Sequence, residues 1–225
     1  MATAADFLQT QLDSTAVLVT AARILVQSPT NWSNTGYAAN AFPREMNDVV
    51  LMTGANVGQA VSANGWRHLG LTRGITPNRS RSTTEIQSDQ IRPLFVVHDT
   101  WNTGFEATLL EMGPTALKEF WQGNPNDPTA VSTPPSGVAQ TRIGYGSPTT
   151  LQYQRVAILW PSRDYRLYMF VYAACTVSLS QAANFNPTDA SEWRITGTAY
   201  PDTRIATAND QTGLLYYTAA NWLTG

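Results

Sequence analysis

Two histidines, one cysteine and a few carboxylates are the residues of this chain whose types could carry reaction chemistry. His98 and Asp99 are adjacent, a pairing that suggests an acid–base dyad. They fall in a strand pattern, and consecutive strand residues point to opposite faces, so adjacency does not join them. Glu106 and Glu111, with Glu85 and Asp89, could supply a glycosidase-type carboxylate pair. Polar strand edges produce such residues routinely. His68 and His98 lie too far apart in sequence to share a helical turn, and no metal site is expected from them. Cys175 is alone in the apolar run Val171–Cys175. It can form no intramolecular disulfide and reads as a small buried hydrophobe rather than a nucleophile. The chain has no Gly-x-Ser-x-Gly, Walker A or His-Glu-x-x-His motif. Gly144-Tyr145-Gly146 precedes no helical pattern and reads as loop. The expectation is a chain with no catalytic residues, no metal and no cofactor, a building block rather than an enzyme.

The cationic residues point the same way. Arg73, Arg79 and Arg81 cluster within a short stretch, but lysine support and an interleaved aromatic platform are missing, so an interface loop is expected rather than a nucleic-acid patch. Only 13% of the 225 residues are charged, 14 Lys+Arg against 16 Asp+Glu, for a net charge of -2. Globular domains usually carry about 25%. That balance argues against a dedicated nucleic-acid binder and leaves little charge to keep a monomer soluble. Lys118 is the only lysine, beside seven tryptophans and nine tyrosines; arginine and aromatics in place of lysine are the composition of protein interfaces. A hydrophobic content of 43% is enough for a core. No apolar stretch is long enough to span a bilayer. Met1–Asp13 has no basic region ahead of an apolar one, so no secretory leader is expected and the chain reads as made in the cytosol.

The elements that must position these residues are mostly strands. Residues 1–48 read as an N-terminal arm with one ordered segment, and residues 49–225 as one β domain. Ala5–Leu12 could start a helix, and Ala16–Gln27 is an apolar strand or packed arm. Trp66–Gly74 and Arg81–Gln87 alternate, Ile91–Trp101 is a long strand, and Asn102-Thr103-Gly104 is a hairpin turn signal before a strand from Phe105 to Met112. Leu117, Phe120 and Trp121 share one face of a short helix between Pro114 and Gly123. Residues 124–148 form a long proline-rich loop. Leu151–Trp160 and Tyr165–Thr176 make a hairpin; Arg166, Tyr168, Phe170 and Tyr172 share one face of its second strand and Leu167, Met169 and Val171 the other, so it must be covered on both faces. Trp193–Tyr200 and Leu214–Tyr217 are further strands. The expected fold is mainly β, a two-sheet β-sandwich or barrel with one short flanking helix and extended arms or loops.

The run Leu69-Gly70-Leu71-Thr72-Arg73-Gly74-Ile75-Thr76, then Thr84-Glu85-Ile86-Gln87-Ser88-Asp89-Gln90 and Ile91-Arg92-Pro93-Leu94, followed by Ala107-Thr108-Leu109-Leu110-Glu111 and the helix Thr115–Gly123, resembles the major tail tube proteins of long-tailed, non-contractile bacteriophages. The resemblance covers residues 66–123 and, more loosely, 151–217. It implies hexameric rings that stack into a hollow virion tail tube, assembled in the host cytoplasm. It also implies tail terminator, tape-measure and tail-tip proteins as partners, and passing double-stranded DNA that is not bound sequence-specifically. Related tubes occur in contractile tails and type VI secretion.

Physics adds expectations to this. A bore wide enough for duplex DNA needs several subunits to share one barrel, which would also satisfy unpaired sheet edges. Each Lys or Arg on a phosphate strengthens retention, so the lumen should be polar but not basic. Thr83, Glu85 and Gln87 on one strand face, with Glu106 and Thr108 opposite, are the lumen candidates. Arg73, Arg79, Arg81, Trp32 and Trp66 are the interface candidates. Segments 1–48, 53–65 and 124–148 should reach between rings, and removal of residues 1–45 should leave folded subunits that do not polymerise. The alternatives are another virion β-sandwich ring protein (terminator, baseplate or decoration protein) or a carbohydrate-binding sandwich using Trp32, Trp66, Trp101 or Trp193 as sugar platforms.

Overall fold

A computed structural model of the chain describes residues 22–27, 43, 45–52, 59–86, 95–110, 130–132, 140–142, 153–161, 166–181, 192–203, 205 and 210–219. The strands are β1 (Arg23–Gln27), β2 (Trp66–Ile86), β3 (Phe95–Leu109), β4 (Ala130–Ser132), β5 (Gln140–Arg142), β6 (Gln154–Pro161), β7 (Leu167–Gln181), β8 (Trp193–Tyr200) and β9 (Gly213–Tyr217). Two single 3-10 turns, Met46–Asp48 and Ser62–Asn64, precede β2.

The protein is mainly β, and every strand pairing is antiparallel. Seven strands form one sheet in the order β6-β1-β2-β3-β8-β7-β9, and β6 also pairs with β7. The first six strands of that order therefore return on themselves, and hydrogen bonding runs through one continuous, closed sheet.

Side-chain alternation explains the closure. Strand β8 is buried and open by turns, with Trp193, Ile195 and Ala199 inward. Phe105, Ala107 and Leu109 of β3 do the same. With Ile24, Val26, Leu69, Val156, Ile158, Tyr172, Cys175 and Val177 they fill the barrel interior. Strand β1 is buried at all five positions and β6 at its first six, because their outer faces are covered as well. Leu25, Trp66, Ala157, Leu159, Leu167, Met169 and Val171 face an outer layer made by Met46, Val49, Val50 and Ile205. This is the double coverage that the two apolar faces of β7 require.

Strand β7 serves both layers over 15 residues through one irregularity. Gln154 pairs with Cys175 and Val156 with Tyr172, so two steps on β6 oppose three on β7. The extra residue is a β-bulge. It keeps Tyr172 and Cys175 both inward although they are an odd number of positions apart.

Several expectations are corrected. Asn102-Thr103-Gly104 is no turn; it lies inside β3. Gly104 is required there because an added Cβ would meet the Gly197 carbonyl oxygen at 2.2 Å. Trp66–Gly74 and the described part of the Arg81–Gln87 pattern, through Ile86, belong to one 21-residue strand, β2. The 1–48 segment includes β1, which pairs with β2 on one side and β6 on the other and is a wall of the barrel rather than part of an arm. Within 124–148, β4 and β5 pair with each other. The expected helices at Ala5–Leu12 and Thr115–Gly123 lie outside the described residues.

Candidate functional site: a polar sheet face and a projecting ribbon

The outward faces of β2, β3, β8 and the second half of β7 form a band without an apolar cover among the described residues. Register arranges it in rows. Thr76, Glu106, Thr196 and Ser178 stand side by side across the four strands. Asn78, Gly104, Thr198 and Thr176 make the next row, and Arg73, Thr108 and Arg194 the one beyond. Each of these side chains is exposed or half-buried, Gly104 excepted. The face is thus dominated by hydroxyls. Its charges nearly cancel: it carries Glu106 and Arg194 one row apart, and Arg73 Nη1 meets Glu192 Oε1 at 3.0 Å. That ion pair is open to solvent and contributes little stability.

The inward side of the band is closely packed. Phe105 lies directly opposite Gly197, and its ring covers the glycine so closely that an added Cβ would sit 2.0 Å from Phe105 Cε1. The Tyr172 ring stacks on Phe105 at 5.9 Å, and its hydroxyl donates to the Gly104 carbonyl at 3.0 Å. Burial, and then the neighbouring Cys175, push the Tyr172 phenol well above the usual range, so it stays a neutral donor.

Past the band, β2 and β3 continue as a two-stranded ribbon. Strand β3 pairs with β8 only from Thr103 onward, and β1 leaves β2 at Leu71. Phe95–Asn102 therefore pairs only with β2 among the described residues, over about 27 Å at about 3.4 Å per residue. On this ribbon Arg81 is directly opposite Trp101. The Arg81 and Arg79 guanidinium carbons lie 5.1 Å and 4.3 Å from the indole centroid, a cation–π arrangement on a ring that is 52% exposed. Trp101 is the interleaved aromatic that the arginine cluster lacks in sequence; only the cross-strand register brings it there.

The residues singled out from the sequence separate accordingly. Glu106 and Thr108 stand on the polar face. Thr83 and Glu85 are on the ribbon, paired with His98 and Val96, so they do not oppose Glu106 and Thr108, whose β2 partners are Thr76 and Arg73. Gln87 and Trp32 lie outside the described residues. Arg73, Arg79 and Arg81 are exposed. Trp66 is fully buried in the outer core layer, so it is a packing residue and offers no surface to a neighbour. Trp193 is buried as well, so burial removes two of the four sugar platforms considered, and Trp101 is open to solvent with Arg79 and Arg81 against its ring. His98-Asp99 lies on the ribbon strand. Among the described residues no group of His, Cys, Asp and Glu could hold a metal ion, and no helix is long and apolar enough to cross a membrane.

His68 has a structural job. Its Nε2 accepts a hydrogen bond from the Ala60 amide at 3.1 Å, and Ala60 bridges to Val50 in the segment that covers the outer core layer. Gln27 Nε2 donates to the Asn64 carbonyl at 2.5 Å, and Asn64 Nδ2 to the Asp48 carbonyl at 2.8 Å, fastening the same segment. Burial, and secondarily the charge of Arg23, hold the His68 imidazole down at about 4. The unfolded chain protonates near 6.5. Between those values the unfolded state binds more protons, so stability is full above about pH 6.5 and declines as pH falls toward 4. Thermal melts from pH 7.5 to 4.5 should show a falling midpoint, and His68→Gln, which keeps an acceptor that does not titrate, should flatten that dependence.

The sequence matches no protein-family model and no curated protein.

Proposed function

We propose that this chain is a structural subunit with no catalytic role, whose copies join into rings that stack as a hollow tube, as in the tail tubes of long-tailed, non-contractile bacteriophages. The polar face of β2, β3, β8 and β7, whose few charges nearly cancel, supports this reading. A surface that conducts duplex DNA must avoid holding phosphates, and each lysine or arginine contact strengthens retention with a salt slope of about -0.9. Hydroxyls suit passage. The face is also four strands wide with an edge on each side that is unpaired among the described residues, a shape that a ring of copies completes. With about 4.8 Å between strands, roughly six copies of four strands give a circumference of about 115 Å and a bore of about 37 Å between backbones before tilt. In this reading the finer sandwich architecture and a flanking helix belong to each subunit, and terminator, tape-measure and tail-tip proteins are the partners of a virion tail.

Negative-stain microscopy of the purified protein tests it. Long tubes are expected. Single rings would favour a terminator-type virion protein, and monodisperse monomers at high concentration would overturn the proposal. Glu106→Lys with Thr198→Lys, both on exposed positions, should leave folding intact. Tubes of that variant should bind duplex DNA with an affinity that falls steeply with salt, while native tubes bind none; equal binding would mean that this face does not line the bore.

A further inference from the structure

In sequence, Arg73, Arg79 and Arg81 lack the aromatic platform that a nucleic-acid contact needs. The fold supplies one to two of them. Trp101 stands opposite Arg81 and diagonal to Arg79, with their guanidinium carbons 5.1 Å and 4.3 Å from its ring centre. Arg73 instead pairs with Glu192. Among the described residues neither Arg79 nor Arg81 has a carboxylate partner, and both side chains and the Trp101 ring are exposed. Two like charges are thus gathered on one open indole. Their mutual repulsion falls when an anion joins them.

We propose that Arg79, Arg81 and Trp101 form a contact site for single-stranded nucleic acid. A guanidinium lying on an aromatic ring keeps its N–H edge free to bond phosphate oxygens. The indole and guanidinium planes are surfaces on which an unstacked base can lie. A duplex hides its base faces and offers phosphate alone. Arg79 and Arg81 are two positions apart on β2, about 6.8 Å at Cα, so each can take its own phosphate from a strand laid along the ribbon.

The site stands apart from the hydroxyl face. Asn78 belongs to that face, and Arg79 and Arg81 alternate with Asn78 and Ser80, so they project from the other side of β2. A bore lined by the hydroxyls would not present them, and the site does not depend on whether copies form rings. Glu85 and Asp99, the acidic positions of the ribbon, lie beyond Arg81 and Trp101 in the register. The contact is therefore confined to the root of the ribbon beside Thr103, and it is small.

Fluorescence anisotropy of a labelled oligothymidylate of about twelve nucleotides, titrated with the purified protein over a salt series, tests this. Two phosphate contacts give a log–log salt slope of about -1.4. Arg79→Gln and Arg81→Gln should each weaken binding and reduce the slope by about 0.7. Trp101→Leu should weaken binding about tenfold with the slope unchanged, a split that charge alone does not produce. The oligothymidylate–oligoadenylate duplex and a polyglutamate of similar length should bind far more weakly. Either of them binding as tightly as the single strand would make this a site for charge only and overturn the proposal. Single-strand binding that all three variants leave intact would overturn it, and so would native protein that binds no oligothymidylate at low salt.

Discussion

A chain truncated through Gln27 should not fold: expressed without β1, it should give no cooperative thermal transition by circular dichroism and collect in the insoluble fraction. Ile24, Leu25 and Val26 are each fully buried, and burying an aliphatic side chain contributes about 1.5–3 kcal/mol. Losing three removes about 6 kcal/mol, comparable to the whole stability of many domains, about 5–15 kcal/mol. The loss is compounded because β1 is hydrogen-bonded on both edges. Without it, β2 and β6 each expose a row of unpaired amides and carbonyls over two opened core layers. This replaces the sequence-based expectation that a chain lacking residues 1–45 would stay folded and fail only in assembly. Leu25→Asp makes the same point without shortening the chain, because it puts a carboxylate into the outer layer with Trp66, Leu159 and Met169; a folded, soluble Leu25→Asp protein would contradict the role assigned to β1.

Gly197→Ala should be, with Gly104→Ala, among the most damaging single-methyl substitutions in the described barrel. The new Cβ would lie 2.0, 2.5 and 2.6 Å from three carbons of the Phe105 ring. Phe105 cannot retreat easily, since it is fully buried and backed by the Tyr172 ring. Overpacking of this kind costs about 1–3 kcal/mol and occasionally more, and a value near 3 kcal/mol is expected from the depth of the overlap. A companion variant, Thr198→Ala, changes the next residue on the open face of the same strand and should shift stability by less than about 0.5 kcal/mol. Urea denaturation of the two proteins checks the contrast. Similar midpoints would mean that Phe105 does not rest on Gly197.

Much of the framework is legible in the sequence where a strand alternates and its partner is near. The hairpin of β6 and β7 and the strand Trp193–Tyr200 follow from period-two patterns, and both faces of β7 were apolar enough to demand two covers. Legibility fails where a partner is remote. Nothing within Arg23–Gln27 says that it sits between strands starting at Trp66 and Gln154. The Asn102-Thr103-Gly104 triplet carries turn composition, yet its glycine answers to the carbonyl of Gly197 and not to a chain reversal. Trp66 and Trp101 look alike as isolated tryptophans; burial separates them, and only register sets Trp101 beneath two arginines. The hydroxyl face is legible in part, since Glu106 and Thr108 stand out by their polarity, whereas Thr196, Thr198, Thr176 and Ser178 join them only where β8 and β7 lie beside β3.

The place of β1 also sets a clock. Gln27 and Arg155 are partners although 128 positions separate them (27 to 155). During synthesis at about 5–20 residues per second, β1 emerges roughly 6–26 s before the strand it needs, and closing so long a loop adds to the delay. Until then the apolar Ile24-Leu25-Val26 run has no β6 to pair with. A ribosome-stalled chain ending before Gln154 should therefore be recognised by chaperones as unfinished, and one extended well past Pro161 should not.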